Sequence, residues 1–358
     1  MTNKQFTVLD LFSGAGGFSL GFQQANYKII GAVEWDKHAM ETHQANFPHS
    51  KDILGDITKV SDEEVLANYA GVDVIIGGPS CQGFSNANRS NRYSEEAIQK
   101  NKLFFEFLRF VKLLQPQALV MENVPQILTR DGGYARNEII AYLSDLGYQV
   151  SYKVLLASQY GVPENRRRAF FVGVRTDHAF DFSAIPLKEP VTIKDTLSDI
   201  YDQDADGPYL TEPQSAYQHY LRQNSNILTN HELRTHAEDK LARIKTVPQG
   251  GNWRAIPKHL YGNRNFSEKT HANEYRRLHE DEQSGTIVSK LSQIHPIHHR
   301  EITVREGARI QSFPDNFIFK GPRTKQALQV GNAVPPLLSQ AIAQELVKYL
   351  APHTQKEE

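Results

Sequence analysis

Ile75-Ile76-Gly77-Gly78-Pro79-Ser80-Cys81-Gln82-Gly83-Phe84-Ser85 holds the only cysteine of the chain, just beyond a short apolar run. Val72, Val74, Ile75 and Ile76 read as a buried strand, which Gly77, Gly78 and Pro79 stop. Cys81 is therefore expected at the carboxyl end of a central strand, the edge along which an open α/β sheet binds its ligands. Taken alone, a single cysteine is more often a small buried hydrophobe than a reactive thiol. What favours chemistry here is the company it keeps along the chain.

Toward the amino terminus, Phe6 to Phe12 reads as a first buried strand, followed by the turn Ser13-Gly14-Ala15-Gly16-Gly17 and a helix through Phe18, Leu20 and Phe22. Such a turn lets backbone N–H groups approach an anionic group at the helix start. Tyr27 to Val33 forms a second strand ending in Glu34-Trp35-Asp36, about twenty residues after the glycines, where a βαβ nucleotide site places its ribose-binding acid. The glycine pattern lacks the third glycine of a dinucleotide fingerprint, and by itself a tight structural turn would explain it. Gly55-Asp56-Ile57 would by itself pass for a surface turn.

Toward the carboxyl terminus, Gln82 to Lys100 is polar and reads as a mobile lid. Leu103 to Leu114 has helical spacing of apolar residues. Ala118 to Met121 reads as a buried strand ending in Glu122-Asn123-Val124-Pro125, so a carboxyl group and the thiol are expected at the ends of neighbouring parallel strands. Two more strands, Val150 to Leu156 and Ala169 to Val174, flank Glu164-Asn165-Arg166-Arg167-Arg168. Beyond Arg175 the character changes, and a boundary is placed near Pro186: residues 1–185, completed by 327–358, form one domain and 186–326 a second, smaller one. Arg254 to Arg300 carries eight Lys or Arg, six His and five acids, interleaved with Trp253, Tyr261, Phe266 and Tyr275. That excess suits a phosphate backbone, and the aromatics suit base edges; a basic solvated face is the plainer reading. Thr303 to Asp315 reads as a capped helix stopped by a proline turn, and Leu337 to Leu350 as an amphipathic closing helix.

Composition narrows the class. At 358 residues, 39% hydrophobic, with a net charge of −1, the chain fits an α/β protein with material for a large domain and a smaller one. No apolar run reaches the length of a membrane span and no signal pattern opens the chain, so a cytoplasmic protein is expected. One cysteine makes neither an intramolecular disulfide nor a cysteine-rich zinc site, and no metal is expected at His295, His298 and His299. With so little net charge, affinity for nucleic acid has to come from uneven distribution.

Taken together, these blocks resemble the DNA (cytosine-5) methyltransferases of bacterial restriction and modification systems, from Leu9 to Pro335 and in the family's order. The resemblance implies a Rossmann-like methyltransferase sheet with a second, smaller target-recognition domain. It implies S-adenosylmethionine as cofactor, held by Phe12, Gly14, Gly16 and Phe18 of the first loop, Glu34 at the ribose, Trp35 on adenine, Asp56 and Ile57 at the adenine edge, Leu103, and Asn332 of Gly331-Asn332-Ala333-Val334-Pro335. Pro79-Ser80-Cys81-Gln82 differs from the usual Pro-Pro-Cys-Gln in its second residue, and Glu164 stands where Gln is usual. Cys81, Glu122, Arg166 and Arg168 are implied as catalytic, with Arg168 meeting the cytosine. Pro79, Gln82, Ser85, Asn123 and Thr286 are implied to contact the substrate. The partners implied are double-stranded DNA and, functionally, a restriction endonuclease, with the enzyme acting as a monomer.

The chemistry asks for these residue types. Cytosine C5 is too poor a nucleophile to take a methyl group until a thiolate adds at C6, which Cys81 would supply. A protonated Glu122 and a cationic Arg168 would stabilise the charge that then develops on N3 and O2. A base inside a duplex is out of reach, so the target must flip out. Two rivals share parts of the pattern: an NAD-dependent oxidoreductase, with no use for Cys81 beside Glu122-Asn123-Val124, and a methyltransferase of the same family acting on transfer RNA.

Overall fold

The computed structural model describes residues 5–79 and 95–351. Seven strands, β1 (Thr7–Leu11), β2 (Lys28–Glu34), β3 (Ile53–Leu54), β4 (Val74–Gly77), β5 (Ala118–Asn123), β6 (Gln149–Leu156) and β7 (Arg167–Val174), form one sheet in the order β3-β2-β1-β4-β5-β7-β6. The first five are parallel, and β7 runs antiparallel to both of its neighbours. From β1 the chain builds outward to β3 on one side and, through β4, to β5 on the other. The reversal puts the loops after β1 and β4 at the switch point where an α/β sheet opens a crevice.

Away from their ends, the central strands are apolar apart from Asp10 of β1 because both faces of the sheet are covered. On one face, Leu9, Leu11, Ile75, Leu119 and Met121 pack with Val65 and Tyr69 of α3 (Asp62–Tyr69), Phe104, Phe107 and Val111 of α4 (Glu95–Leu114), and Ile139 and Leu143 of α5 (Tyr134–Asp145). On the other lie α1 (Gly17–Gln24), α2 (Lys37–Asn46) and the closing helix Pro336–Leu346. The closing helix docks on α1 as its apolar face implies: Ser339 Oγ donates to the Phe18 carbonyl at 2.7 Å, and Tyr27 Oη to the Ala343 carbonyl at 2.9 Å.

The chain forms two compact units, the first from Met1–Leu156, Arg167–Leu187 and Pro336–Glu358, the second from Ala157–Arg166 and Lys188–Pro335. The division at Leu187 falls next to the composition break at Pro186. Residues 157–166 and 327–335, however, group with the second unit. The reasons are long-range: Glu164 bridges to Ser284, the Ile287 N–H donates to Glu164 Oε1 at 2.6 Å, and Gln311 Nε2 donates to the Val330 carbonyl at 3.1 Å.

Other expectations are also revised. Residues 95–100, assigned to a lid, are the first turns of α4, in keeping with the helix formers Glu95, Glu96, Ala97, Gln99 and Lys100; the remainder of that lid, 82–94, lies outside the described residues. In the second unit Trp253 and Tyr275, assigned to base contacts, are buried with Ile244, Val247, Ile256 and Ile294, and Tyr261 and Phe266 pack against that cluster. A unit with little regular structure has few periodic apolar faces, so large aromatics supply its core. The Val304–Ile310 helix is capped as expected, Thr303 and Glu306 exchanging side-chain-to-backbone bonds. Among the described residues no helix is long and apolar enough to cross a membrane.

Candidate active site

The glycine turn after β1 is drawn tight by left-handed backbone. Phe12 takes a left-handed conformation (φ 61°), followed by Gly14 (φ 55°) and Gly16 (φ 94°), so the chain folds back on itself within five residues. A β-carbon at Gly16 would come within 2.8 Å of the His43 ring and 2.6 Å of Phe47, whereas one at Gly14 would meet nothing within 4 Å. The turn thus rests on α2 at one glycine and is open at the other. Glu34, at the end of β2, is buried and ties the turn down: the Gly14 N–H donates to Oε2 at 2.9 Å, and the N–H groups of Trp35 and Asp36 donate to Oε1 at 2.9 and 2.8 Å. Burial raises its pKa, and those three hydrogen bonds oppose the rise.

Trp35 is the most exposed large hydrophobic side chain described, at 80%, with half-exposed Leu54 on the neighbouring strand. Ser13 Oγ is buried in this turn without a hydrogen-bond partner. An exposed indole beside a buried carboxylate and an orphaned hydroxyl fit a nucleoside-type methyl donor. The other residues assigned to that site are placed as follows. Asp56 is exposed and caps the following turn, Oδ1 accepting from the Thr58 N–H at 3.0 Å; Ile57 is buried in the core, and Leu103 is half-buried against it. Phe18 is buried edge-on against Phe22 and Phe170. Asn332 ends the Arg323–Asn332 helix of the second unit and is exposed.

At the ends of β4, β5 and β7 the structure brings together Pro79, Glu122, Asn123 and Arg168. β4 and β5 pair in register at Gly77 and Met121, so both chains leave the sheet side by side. Arg168 Nε lies 2.9 Å from Glu122 Oε1, and Asn123 Nδ2 donates to the Pro79 carbonyl at 2.9 Å. A β-carbon at Gly78 would stand 3.2 Å from Glu122 Oε2, so the glycine leaves the carboxyl group room beside β4. Glu122 and Arg168 side chains keep 15% and 17% of their surface, enough for a small planar group to reach them. Cys81, Gln82 and Ser85 lie outside the described residues.

Arg166 is placed differently from Arg168, two residues away. It is buried in the second unit, Nη1 donating to the Ile287 carbonyl at 3.4 Å and Nη2 to the Gly331 carbonyl at 3.1 Å, with Glu164 Oε1 at 3.6 Å. Its guanidinium is therefore committed to main chain rather than to Glu122. Thr286, half-buried, donates from Oγ1 to the Asn165 carbonyl at 3.5 Å. Glu164 in place of glutamine thus serves as an acceptor for the Ile287 N–H and as a counter-charge for Arg166.

Sequence reasoning missed a buried row of polar groups under the glycine turn, Asp10, Ser19, His43 and Asp52. The one available signal was a carboxylate inside the apolar strand Val8-Leu9-Asp10-Leu11. Burial pushes the Asp10 carboxyl up to about 7, against the lowering effect of Ser19 and His43.

The family model for C-5 cytosine-specific DNA methylases matches residues 6–348. Type II methyltransferase M1.HphI of Haemophilus parahaemolyticus is 40% identical over 96% of this chain and 87% of its own length. Type II methyltransferase M.DdeI of Desulfomicrobium norvegicum is 36% identical over 96% of this chain and 88% of its own. An E. coli prophage-encoded protein assigned as a DNA modification methyltransferase superposes with a TM-score of 0.79 at 29% identity, covering 96% of this chain and 99% of the other. With a match spanning both units and the sheet order of a methyltransferase, the chain belongs to the C-5 cytosine-specific DNA methylase family and is a DNA (cytosine-5) methyltransferase.

Proposed function

We propose that the chain transfers a methyl group from S-adenosylmethionine to C5 of a cytosine in a specific short sequence of duplex DNA, through thiolate addition to C6 of a flipped-out base. The observation that carries this reading is the Glu122–Arg168 pair at the end of β5, beside the point where Pro79 leads, two residues on, to Cys81. S-adenosylmethionine, when bound, supplies the methyl group to be transferred. Gly14, Gly16, Glu34 and Trp35 would hold it.

Cys81 adds to C6 as a thiolate, forming an S–C6 bond while the C5–C6 π pair shifts to C4–C5 and the C4–N3 π pair to N3. Glu122 and Arg168 hold each other until the base enters; N3 then takes up the carboxyl group and O2 the guanidinium. An ion pair favours the charged carboxylate, so the proton Glu122 presents to N3 has to arrive with the base. Once C5 has used the C4–C5 π pair to bond the methyl group, the C5–H pair becomes the C5–C6 π bond as the proton leaves to a base, Cys81 departs as thiolate, and N3 returns its proton to Glu122. Arg166 acts indirectly, by holding Ile287 and Gly331 together.

The second unit, between about Pro186 and Arg300, is proposed to read the target through exposed Arg254, Lys258, Arg264, Lys269 and Lys290. By analogy with the Type II relatives, the physiological role is protection of DNA from a cognate restriction endonuclease, carried out by a monomer in the cytoplasm. The test is Cys81→Ser on a labelled-methyl assay with duplex DNA and with RNA. Transfer to duplex DNA should disappear, because a serine hydroxyl is far less ionised near pH 7. Duplex DNA carrying 5-fluorocytosine should trap the wild type as an adduct that survives denaturation. Turnover by Cys81→Ser within about tenfold of wild type would sink the thiolate mechanism, and transfer to RNA alone would sink the DNA substrate.

A further inference from the structure

Beneath the glycine turn, four side chains on four segments form one buried row. Asp10 of β1 lies 2.7 Å from Ser19 Oγ of α1, Ser19 Oγ lies 3.3 Å from His43 Nε2 of α2, and His43 Nδ1 lies 2.8 Å from Asp52 Oδ2 in the segment before β3. The Asp10, Ser19 and His43 residues and the Asp52 side chain are all closed to solvent, and Asp52 Oδ1 has no partner. The row touches the turn directly, since the His43 ring is what a β-carbon at Gly16 would strike.

Counting hydrogens assigns a proton to this row. Three contacts need three hydrogens. His43 with one ring hydrogen, on Nδ1 toward Asp52, and the Ser19 hydroxyl supply only two. The third sits on His43 Nε2, giving an imidazolium between two carboxylates, on Asp10, which then donates to Ser19 while Ser19 donates to His43, or on Asp52, which then donates to Nδ1 while Nε2 donates to Ser19 and Ser19 to Asp10. These three arrangements differ only by a shift of hydrogens along the row and carry the same charge. Removing the extra proton leaves Ser19 between two acceptors with one hydrogen, so one buried contact becomes lone pair against lone pair.

We propose that Ser19, His43 and Asp10 are positioning residues for the methyl donor, and that the proton they share with Asp52 holds the Gly14–Gly16 turn in its binding shape. The proposal rests on the reading of that turn as the S-adenosylmethionine site. The other groups facing the row do not replace the proton. Glu34 of β2 adds negative charge near Asp10, Tyr69 of α3 feels Asp52 but donates to the Lys51 carbonyl, and the closing helix presents uncharged Ser339 to α1. Asp10 is raised to about 7 by burial, so the proton is kept below neutral pH and lost as pH rises through that value.

Calorimetric titration of S-adenosylmethionine into the full chain without DNA, from about pH 6 to about pH 9, tests this. Wild type should bind about fivefold more weakly at the alkaline end, the loss of one buried hydrogen bond. Ser19→Ala, which breaks the row, should bind weakly and show less than about a twofold change over the same range, and Ser19→Thr should restore the wild-type profile. Binding independent of pH in wild type, or the same pH profile in Ser19→Ala, overturns the proposal alone. No binding at any pH overturns the donor-site reading as well.

Discussion

Arg168 of the sheet unit and the buried arginines of the second unit work in opposite ways. In the sheet unit, Arg168 stands at a strand end, meets Glu122, and remains partly open to solvent. In the second unit, Arg277, Arg300, Arg305 and Arg309 are buried. Arg277 donates to the carbonyls of Ile244, Val247, His295 and His298; Arg300 makes a two-pronged pair with Glu306; Arg305 donates to the carbonyls of Thr229, Pro314 and Phe317; and Arg309 joins Asp199, Asp315 and the Thr196 carbonyl. The backbone explains the difference. A seven-stranded sheet satisfies its own N–H and C=O groups, so Arg168 gives a hydrogen bond to main chain at Arg167 and turns Nε to Glu122. A unit of short helices and long connections leaves carbonyls buried without ladder partners, and a guanidinium with five hydrogens can satisfy several of them at once. Basic composition in the second unit is therefore partly mortar rather than DNA surface.

Arg309→Met breaks that comparison most directly. It leaves Asp199 and Asp315 buried with less positive charge and should cost about 3–5 kcal/mol of stability by urea denaturation. Arg168→Met should stay within about 1 kcal/mol of wild type in the same measurement while methyl transfer collapses, since its carboxylate partner retains access to water. Equal losses of stability in the two variants would mean that both arginines are structural.

A smaller effect separates the units by pH. Burial lowers the His295 pKa to about 3 against an ordinary 6.5. Its neutral form belongs to the fold, so its contribution to stability is present above about 6.5 and is lost as pH falls toward 3. Asp10 has the opposite sign: raised from 3.8 to about 7, it contributes fully below 3.8 and the contribution fades as pH rises toward 7. Amide-exchange protection should fall first around His295 on acidification below about 6.5 and first around β1 as pH rises from about 4 to about 7. Parallel pH profiles in the two regions would contradict the burial assigned to these two groups.

The smallest effect falls on the surface. Exposed Arg254 stacks over Trp253 with its charge toward solvent, so Arg254→Ala should lower the salt dependence of DNA binding by about one unit of slope and leave the melting temperature unchanged. Arg277→Ala, from the same basic stretch, should instead lower stability, because it abandons several buried carbonyls. If the two behave alike, the division between mortar and surface does not hold within this segment.

Where a segment's own pattern determines its environment, the sequence was legible. Apolar runs at β1, β4 and β5, the spacing through α4, and the Thr303-x-x-Glu306 cap all predicted their elements, and strand ends predicted where Glu122 would stand. Boundaries were less so: α4 begins eight residues before its first obvious apolar position because a polar first turn carries no burial signal. The aromatics of 253–275 misled, since an aromatic in a polar stretch reads alike whether it covers a core or awaits a base.

By itself the sequence determined the α/β sheet, the family, and the candidate donor-site and acid residues, because each depends on short-range periodicity or on residues close together in the chain. Only tertiary structure decided that Arg168 meets Glu122 whereas Arg166 serves Ile287 and Gly331, that residues 157–166 join the second unit, and that Asp10, Ser19, His43 and Asp52 share one buried row. Those outcomes turn on which carbonyls and carboxylates burial leaves without partners. That is settled only when distant segments close on one another.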